Sequence, residues 1–292
     1  MRHKLALQAG FVSVLRRPRL RTGARIAVRA LRLPEAVRQR LPVDGRFTFR
    51  LFGRVLVYHG ELHDGVGRAL FWERAEDYEA ETLQVLAGIL RERPAPTVFD
   101  VGANTGFYSM AALALAPTAC VHAFEPVPRI AQALTTNIMV NGLSNRVRVN
   151  TCAVAEHSGQ VELHVPDETW GNATLNVDGF RGLAGHVEHV EAVTLDDYVA
   201  MHAIERIDVL KIDVEGHEDA VLRGARSVLA RHRPAVLCEC LPELDADAFN
   251  HLISEFGYEP YHLRREGPVR VARVVADRTG RFKNYLLLPA ER

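Results

Sequence analysis

Apolar positions along this chain follow two different periods, and the change between them divides it. Residues 46–58 alternate: Phe47, Phe49 and Leu51 share one face, and Val55 and Val57 continue the pattern after Gly53. A period of two interrupted by a glycine predicts a β-hairpin. Ahead of it, residues 1–42 read as basic helical segments broken by Pro18, Pro34 and Pro42. After it, Asp77 to Leu90 has helical spacing through Tyr78, Leu83, Leu86 and Leu90, and Pro94 and Pro96 end the run.

From residue 97 short apolar runs alternate with helical patterns. Strands are predicted at Thr97–Val101, Val121–Phe124, Val147–Val154, Ile207–Ile212 and Ala235–Cys240. Helices are predicted over about 105–116, 127–140, 217–231 and 244–256. Tyr258–Leu263, Val269–Val274 and Asn284–Leu288 read as closing strands. This alternation implies an α/β fold with a doubly wound parallel sheet, whose ligands sit beyond the carboxyl ends of the strands. About 50 residues separate the third and fourth strands, more than a simple crossover needs. Gln160–Val165 and Val187–Val193 fit two extra strands there. Residues 166–186 between them hold Trp170 among glycines and asparagines, and form a candidate lid or substrate loop. The other reading of that stretch is a surface insertion with no role. The chain thus divides into a basic extension, 1–75, and an α/β domain, 76–292.

Composition narrows the class. Of the 292 residues, 48% are hydrophobic and 25% charged, which describes a soluble globular protein. No apolar run reaches the roughly 18 residues of a membrane span; the nearest, Met110 to Phe124, contains Pro117 and His122. The formal net charge of zero hides an asymmetry. Residues 1–54 carry 14 Lys and Arg against Glu35 and Asp44, whereas residues 55–292 carry 22 against 34 acids. Such a head suits nucleic acid, an anionic membrane or the acidic face of its own body. Cys120, Cys152, Cys238 and Cys240 form no CxxC pair and lie in strand-like segments, so reduced core thiols and a cytoplasmic location are expected. The Arg16-Arg17-Pro18-Arg19 run after the semi-apolar start does not resemble a signal-peptidase site.

The chemistry concentrates at two strand ends. Asp100, Gly102, Ala103, Asn104 and Gly106 form a glycine-containing turn between the first α/β strand and its helix. Gly102 and Gly106 allow a sharp turn and close approach to a ligand, and the helix start points amide donors into the same space. A dinucleotide loop would want a third glycine. The carboxylate of Asp100 would instead repel a pyrophosphate and suit an ammonium, favouring S-adenosylmethionine over a nicotinamide cofactor. Glu125, at the end of the next strand, is placed to accept both hydroxyls of an adenosine ribose. Ala153 lies where an adenine ring would be sandwiched.

The second strand end reads Lys211-Ile-Asp213-Val-Glu215-Gly-His217-Glu218. Lys211 and Asp213 project from one face. A lysine inside a central strand needs a partner, and Glu239 on the neighbouring strand is the expected one. Asp213 faces the methyl donor; Asp213, Glu215 and His217 are candidate general bases, Asp213 first. The bland alternative makes Glu218 a helix cap and His217 merely exposed. No HExxH or Cys/His framework is present, so no structural metal is expected.

With these segments in view, the chain resembles the FkbM family of S-adenosylmethionine-dependent methyltransferases. The matching stretches are Val98 to Ser109, Phe124-Glu-Pro126, Asn137 through Leu143, Thr194-Leu-Asp-Asp197, Lys211 to Glu218 and Val221-Leu-Arg-Gly224. The resemblance implies a Rossmann-like sheet with an antiparallel last strand and mostly O-methylation of sugar or macrolide hydroxyls. It further implies that Asp100 to Gly106 hold the methionine tail, Glu125 the ribose, and that Asp213 lies beside the transferring methyl group. A small-molecule or glycan acceptor is expected, with a weak membrane contact through residues 1–40 as a further use of the head. A nucleic-acid methyltransferase is the rival reading, but the Asp-Val-Glu-Gly strand end and the acidic body argue against it. A non-catalytic nucleoside- or membrane-binding module is the other.

Overall fold

The computed structural model describes residues 25, 41, 43–62, 64–167, 173–175, 184–277 and 283–290. The helical segments expected over 1–42, the membrane contact expected of residues 1–40, and Trp170 lie outside the described residues, Arg25 and Leu41 apart.

The hairpin forms from β1, Gly45–Leu51, and β2, Arg54–Gly60. Its apolar face differs from the sequence expectation. Phe52 and Gly53 both take positive φ, 49° and 78°, so the turn has only two residues and pairs Leu51 with Arg54. Cross-strand partners share a face, and Phe49 pairs with Leu56 and Phe47 with Tyr58. Leu56 and Tyr58 are therefore the buried residues of β2, while Val55 is 56% exposed. Helix α1, Gly65–Trp72, follows; the pattern analysis did not foresee it, although Asp64 caps it by accepting from the Gly67 N–H. Helix α2, Ala80–Arg91, buries Leu83, Leu86 and Leu90 as their spacing requires.

An eight-stranded sheet makes the centre. The elements from here on, in chain order, are β3 (Thr97–Val101), α3 (Phe107–Leu115), β4 (Cys120–Phe124), α4 (Pro128–Val140), β5 (Val147–Asn150), β6 (Ala153–Val154), β7 (Gly159–Pro166), β8 (Gly185–Val193), α5 (Leu195–Met201), β9 (Val209–Ile212), α6 (Glu218–Arg223), α7 (Arg226–Arg231), β10 (Ala235–Glu239), α8 (Ala246–Glu255), β11 (Tyr258–Arg264), β12 (Gly267–Arg270) and β13 (Asn284–Pro289). The strand order is β12-β11-β13-β10-β9-β3-β4-β5, parallel from β10 to β5, with the last strand, β13, inserted antiparallel between β10 and β11. This is the Rossmann-like architecture expected. The chain leaves β3 toward β4 and β5 on one side and returns to β9 and β10 on the other, which opens a crevice at the carboxyl ends of β3 and β9.

Four expectations are corrected. Val147–Val154 is two strands: the β4 ladder ends at Phe124 opposite Asn150, Pro126 has no N–H to continue it, and Ala153–Val154 joins β7 and β8 in a separate three-stranded sheet. The helix over 217–231 is broken, because the Asp196 carboxylate accepts from the Ser227 and Val228 N–H groups and starts a second helix there. Strand pairing over 269–274 stops at Arg270; the Asn250 side chain takes both backbone groups of Val274 instead. Finally, Cys238 and Cys240 are buried, but Cys120 is exposed at the amino end of β4 and Cys152 is half-buried, so not all four are core thiols.

Helices cover both faces of the sheet. One apolar cluster runs without a break from the hairpin (Phe47, Tyr58) through α1 and α2 to α3 and the sheet (Met110, Val98). A second lies under α5 to α8, and a third joins α4 to the three-stranded sheet.

Candidate active site

The loop after β3 is held at both of its ends. Gly102 has φ 78°, and a Cβ there would stand 1.8 Å from the Asp213 carbonyl oxygen, so only glycine lets β3 and β9 end this close together. The Gly102 and Ala103 N–H groups donate to the Phe124 carbonyl at 3.0 and 2.9 Å. Asn104, itself at φ 49°, donates its N–H to Glu125 Oε2 at 3.0 Å, and Val127 N–H donates to Oε1 at 2.9 Å. Both carboxylate oxygens of Glu125 are thus fixed by backbone donors, and each keeps a lone pair for a ligand. Burial pushes this carboxyl up to about 7, against the pull of its backbone partners.

A cleft of about 570 Å³ opens from this loop. Glu125 and Asn104 stand at its polar end, and Phe124, Ile130, Ala153 and Leu163 wall it with apolar surface. Asp213, Glu215 and His217 close it from the β9 side. Ala173 and Leu175, within the candidate lid, also line it, and Thr174 between them donates from Oγ1 to the Glu215 carbonyl at 2.9 Å. Asp100 and Gly106 lie behind the surface. Asp100 is buried, accepts from Ser109 Oγ at 2.6 Å, and is pushed up to about 6 by burial. Gly106 precedes α3 and packs on Leu134.

A second chamber of about 780 Å³ adjoins the cleft and shares Gly102, Asn104, Asp213 and Glu215 with it. Ala103, Tyr78, Glu79, Tyr108, Glu239 and Lys283 line the rest. The helical spacing places Tyr78 on a helix face, and no motif marks Tyr108 or Lys283; Lys283 precedes the last strand and only the sheet topology brings it here.

Asp213 sits where the two cavities meet. Lys211 Nζ contacts its Oδ2 at 3.1 Å and lies 4.9 Å from the centre of the Tyr108 ring. The expected Lys211–Glu239 pair is therefore corrected: Cys238 pairs with Ile212 in the β9–β10 register, which sets Glu239 beside Asp213, and Glu239 forms its ion pair with Lys283. Burial opposes the Asp213 charge, but Lys211, a hydrogen bond from Glu239 and the charge of Lys283 hold its carboxyl below the ordinary value. Burial and the neighbouring Asp213 push Glu239 the other way. One oxygen each of Asp213, Glu215 and Glu239 lie within 4.8 Å of one another, a spacing a cation also uses, but Lys211 and Lys283 already bring two ammonium groups to the cluster.

His217 is half-buried at the start of α6, and burial lowers its pKa, which keeps it neutral at neutral pH. Glu218 is fully buried and folds back to accept from the Gly216 and Val214 N–H groups, so it ties down the loop before α6 and does not cap the helix, whose N-cap is His217; burial pushes it up to about 7.

The FkbM methyltransferase domain model matches residues 100–262, more than half of the chain. The chain belongs to the FkbM methyltransferase family. The 2-O-methyltransferase NoeI of Sinorhizobium fredii is 28% identical over 156 residues, 49% of this chain and 63% of that protein. The 31-O-demethyl-FK506 methyltransferase FkbM of Streptomyces tacrolimicus is 33% identical over 158 residues, 45% of this chain and 60% of that protein. The chain thus spans less than two thirds of the length of these relatives. The crystal structure of methyltransferase FkbM from Methylobacillus flagellatus superposes with a TM-score of 0.44 at 16% identity, covering 73% of this chain and 59% of that one.

S-adenosylmethionine is the cofactor of this methyltransferase family, and the cleft fits it: a slot walled by apolar side chains ends in a buried carboxylate that retains acceptor capacity for a diol. Among the described residues no helix is long and apolar enough to cross a membrane.

Proposed function

We propose that this enzyme transfers the methyl group of S-adenosylmethionine to a hydroxyl of a small-molecule or glycan acceptor, of the sugar, glycolipid or macrolide type. The observation that carries this reading is the pair of adjoining cavities that meet at Asp213, one shaped for the nucleoside and one free for the acceptor. Two relatives whose names specify 2-O- and 31-O-transfer support oxygen as the nucleophile. In this reading Glu125 holds the ribose, Gly102, Ala103 and Asn104 line the path of the methionine tail, and Ala153 packs on the adenine. Asp100 and Gly106 act from behind by fixing the loop. When bound, S-adenosylmethionine supplies a methyl carbon on a sulfonium whose positive charge disappears on transfer.

The protein's part is alignment and proton removal. An aliphatic hydroxyl is a weak nucleophile, and a carboxylate within reach of its proton contributes on the order of 10²–10⁴-fold. Asp213, kept ionised by Lys211, lines the acceptor chamber and is the first candidate. His217 and Glu215 line the cleft as the remaining candidates. The carboxylates Glu79, Asp213 and Glu215 around the chamber would repel a polyphosphate, which disfavours nucleic acid as the acceptor.

A thermal-shift titration with S-adenosylhomocysteine, with NAD as control, tests the cofactor site. At about 100 times its Kd a ligand adds about 2.7 kcal/mol, a shift of several degrees. The parent should shift with S-adenosylhomocysteine alone, and an Asp100→Ala, Glu125→Ala double variant should not. A folded parent that fails to shift would overturn the assignment of the cleft.

A further inference from the structure

The loop after β3 lies within the region matched by the family, yet it is fastened to residues that precede that region. Thr105, between Asn104 and Gly106, is completely buried. Its Oγ1 meets the Tyr58 hydroxyl of β2, and that hydroxyl donates to Asp64 Oδ2 at 2.8 Å. Asp64 in turn accepts from the Gly67 N–H at 2.8 Å and so caps α1, whose first residues, Gly65 and Val66, line the acceptor chamber. The Thr105 carbonyl is held from the other side by Asn137 Nδ2 at 3.0 Å, and Asn137 Oδ1 accepts from the His59 N–H of the same hairpin strand at 2.8 Å. Tyr58 and Asp64 are both essentially without solvent contact.

Packing alone does not require this chemistry. A buried hydroxyl and a buried carboxyl each cost desolvation unless they are hydrogen-bonded, and a phenylalanine would fill the same volume without that cost. The network spends its polar groups on one residue of the cofactor loop. Thr105 adjoins Asn104, whose N–H fixes Glu125 and whose side chain accepts from the Thr105 N–H at 2.7 Å. A shift of the Thr105 peptide therefore moves the two groups that face the nucleoside. We infer that Tyr58, backed by Asp64, is a positioning residue for the cofactor: through Thr105 it sets Asn104 and Glu125, so that the N-terminal hairpin is a working part of the methyl-donor site. This rests on the assignment of the cleft to S-adenosylmethionine.

Isothermal titration with S-adenosylhomocysteine on the full chain tests it without any acceptor. Tyr58→Phe and Thr105→Val, measured well below the melting temperature of every protein used, should each weaken Kd by about 3- to 10-fold, the range of one net hydrogen bond. The double variant should be no weaker than either single one, because both changes break the same link. Thr105→Ser restores the hydroxyl and should return Kd to within about twofold of the parent. A purely structural role would lower the melting temperatures and leave Kd unchanged, and that result overturns the inference, as would additive losses in the double variant. Should Tyr58→Phe fail to fold, the Thr105→Val and Thr105→Ser pair decides alone: equal affinities overturn it. A parent that does not bind S-adenosylhomocysteine sinks the cleft assignment itself, whereas a binding parent with unaffected variants sinks only the role of Tyr58.

Discussion

At the residue scale the site depends on carboxyl groups whose burial works against their charge. Glu125 is pushed from an ordinary 4.5 up to about 7 and Asp100 from 3.8 up to about 6, in each case mainly by loss of solvent. A raised acid binds its proton more tightly in the folded chain than in the unfolded one. The stability that Glu125 contributes is thus fully present below its unfolded value and is lost as pH rises through about 7. A diol or ammonium ligand pulls the other way, because it is better held by the ionised carboxylate. S-adenosylhomocysteine affinity should therefore fall as pH drops from 8 to 6, by about tenfold one unit below the Glu125 value, while Glu125→Gln binds weakly and with little pH dependence above pH 7. Calorimetric titrations at pH 6, 7 and 8 check this; equal affinity at pH 8 and pH 6 in the parent would remove Glu125 from the ligand's contacts. Much of this chemistry was legible in the sequence, because a carboxylate at a strand end in an α/β sheet faces the crevice. The partners were not. Lys211 takes Asp213 and leaves Glu239 to Lys283 because of the register between β9 and β10, which no spacing along the chain reveals.

At the element scale the hairpin has an unusual neighbour. The outer edge of β2 is paired by amide side chains of α4 and its C-cap in place of another strand: Asn141 Oδ1 accepts from the Val57 N–H at 2.8 Å, Asn141 Nδ2 donates to the Val57 carbonyl at 2.7 Å, and Asn137 takes the His59 N–H. This satisfies an exposed ladder edge that would otherwise invite another chain. Asn141→Ala would leave both Val57 groups without a protein partner, and should cost roughly 2 kcal/mol and lower the melting temperature by about 5 °C. Differential scanning calorimetry against a surface control, Asn145→Ala, reads the effect; an unchanged melting temperature would mean that water replaces the amide at no cost. Periodicity found nearly every strand of the parallel sheet and the helices that cross over between them, since each buries one face or both. It failed where local geometry overrides the count. The two-residue turn at Phe52-Gly53 put Leu56 and Tyr58 inside in place of Val55 and Val57, and a side chain from α5, Asp196, restarted a helix that the apolar spacing alone would have continued.

At the scale of the whole molecule, sequence similarity and the folding unit do not coincide. The family match ends at residue 262, inside β11, and β13 lies beyond it in the chain. In space β13 is interior: it pairs with β10 on one side and β11 on the other, and it buries Tyr285, Leu286 and Leu287. A fragment cut to 100–262 would open two facing strand edges in the middle of the sheet, remove Lys283 from Glu239, and strip the hairpin and α1 from the cluster that they share with α3. The apolar surface so exposed cannot be recovered by rearranging a parallel sheet whose order is fixed by its crossovers. At the other end, the guanidinium of Arg25 lies over the rings of Phe47 and Phe71, at 5.9 and 5.1 Å, and donates to the Thr48 carbonyl at 2.7 Å, so part of the basic head is docked on the hairpin. The fragment 100–262 should show no cooperative thermal transition by circular dichroism and should bind an apolar dye, whereas a fragment from residue 20 to 292 should melt cooperatively and bind S-adenosylhomocysteine. A cooperative transition in the shorter fragment would mean that β13 closes a gap the remaining strands tolerate, and that the hairpin's hold on Thr105 is an addition to a site already formed without it.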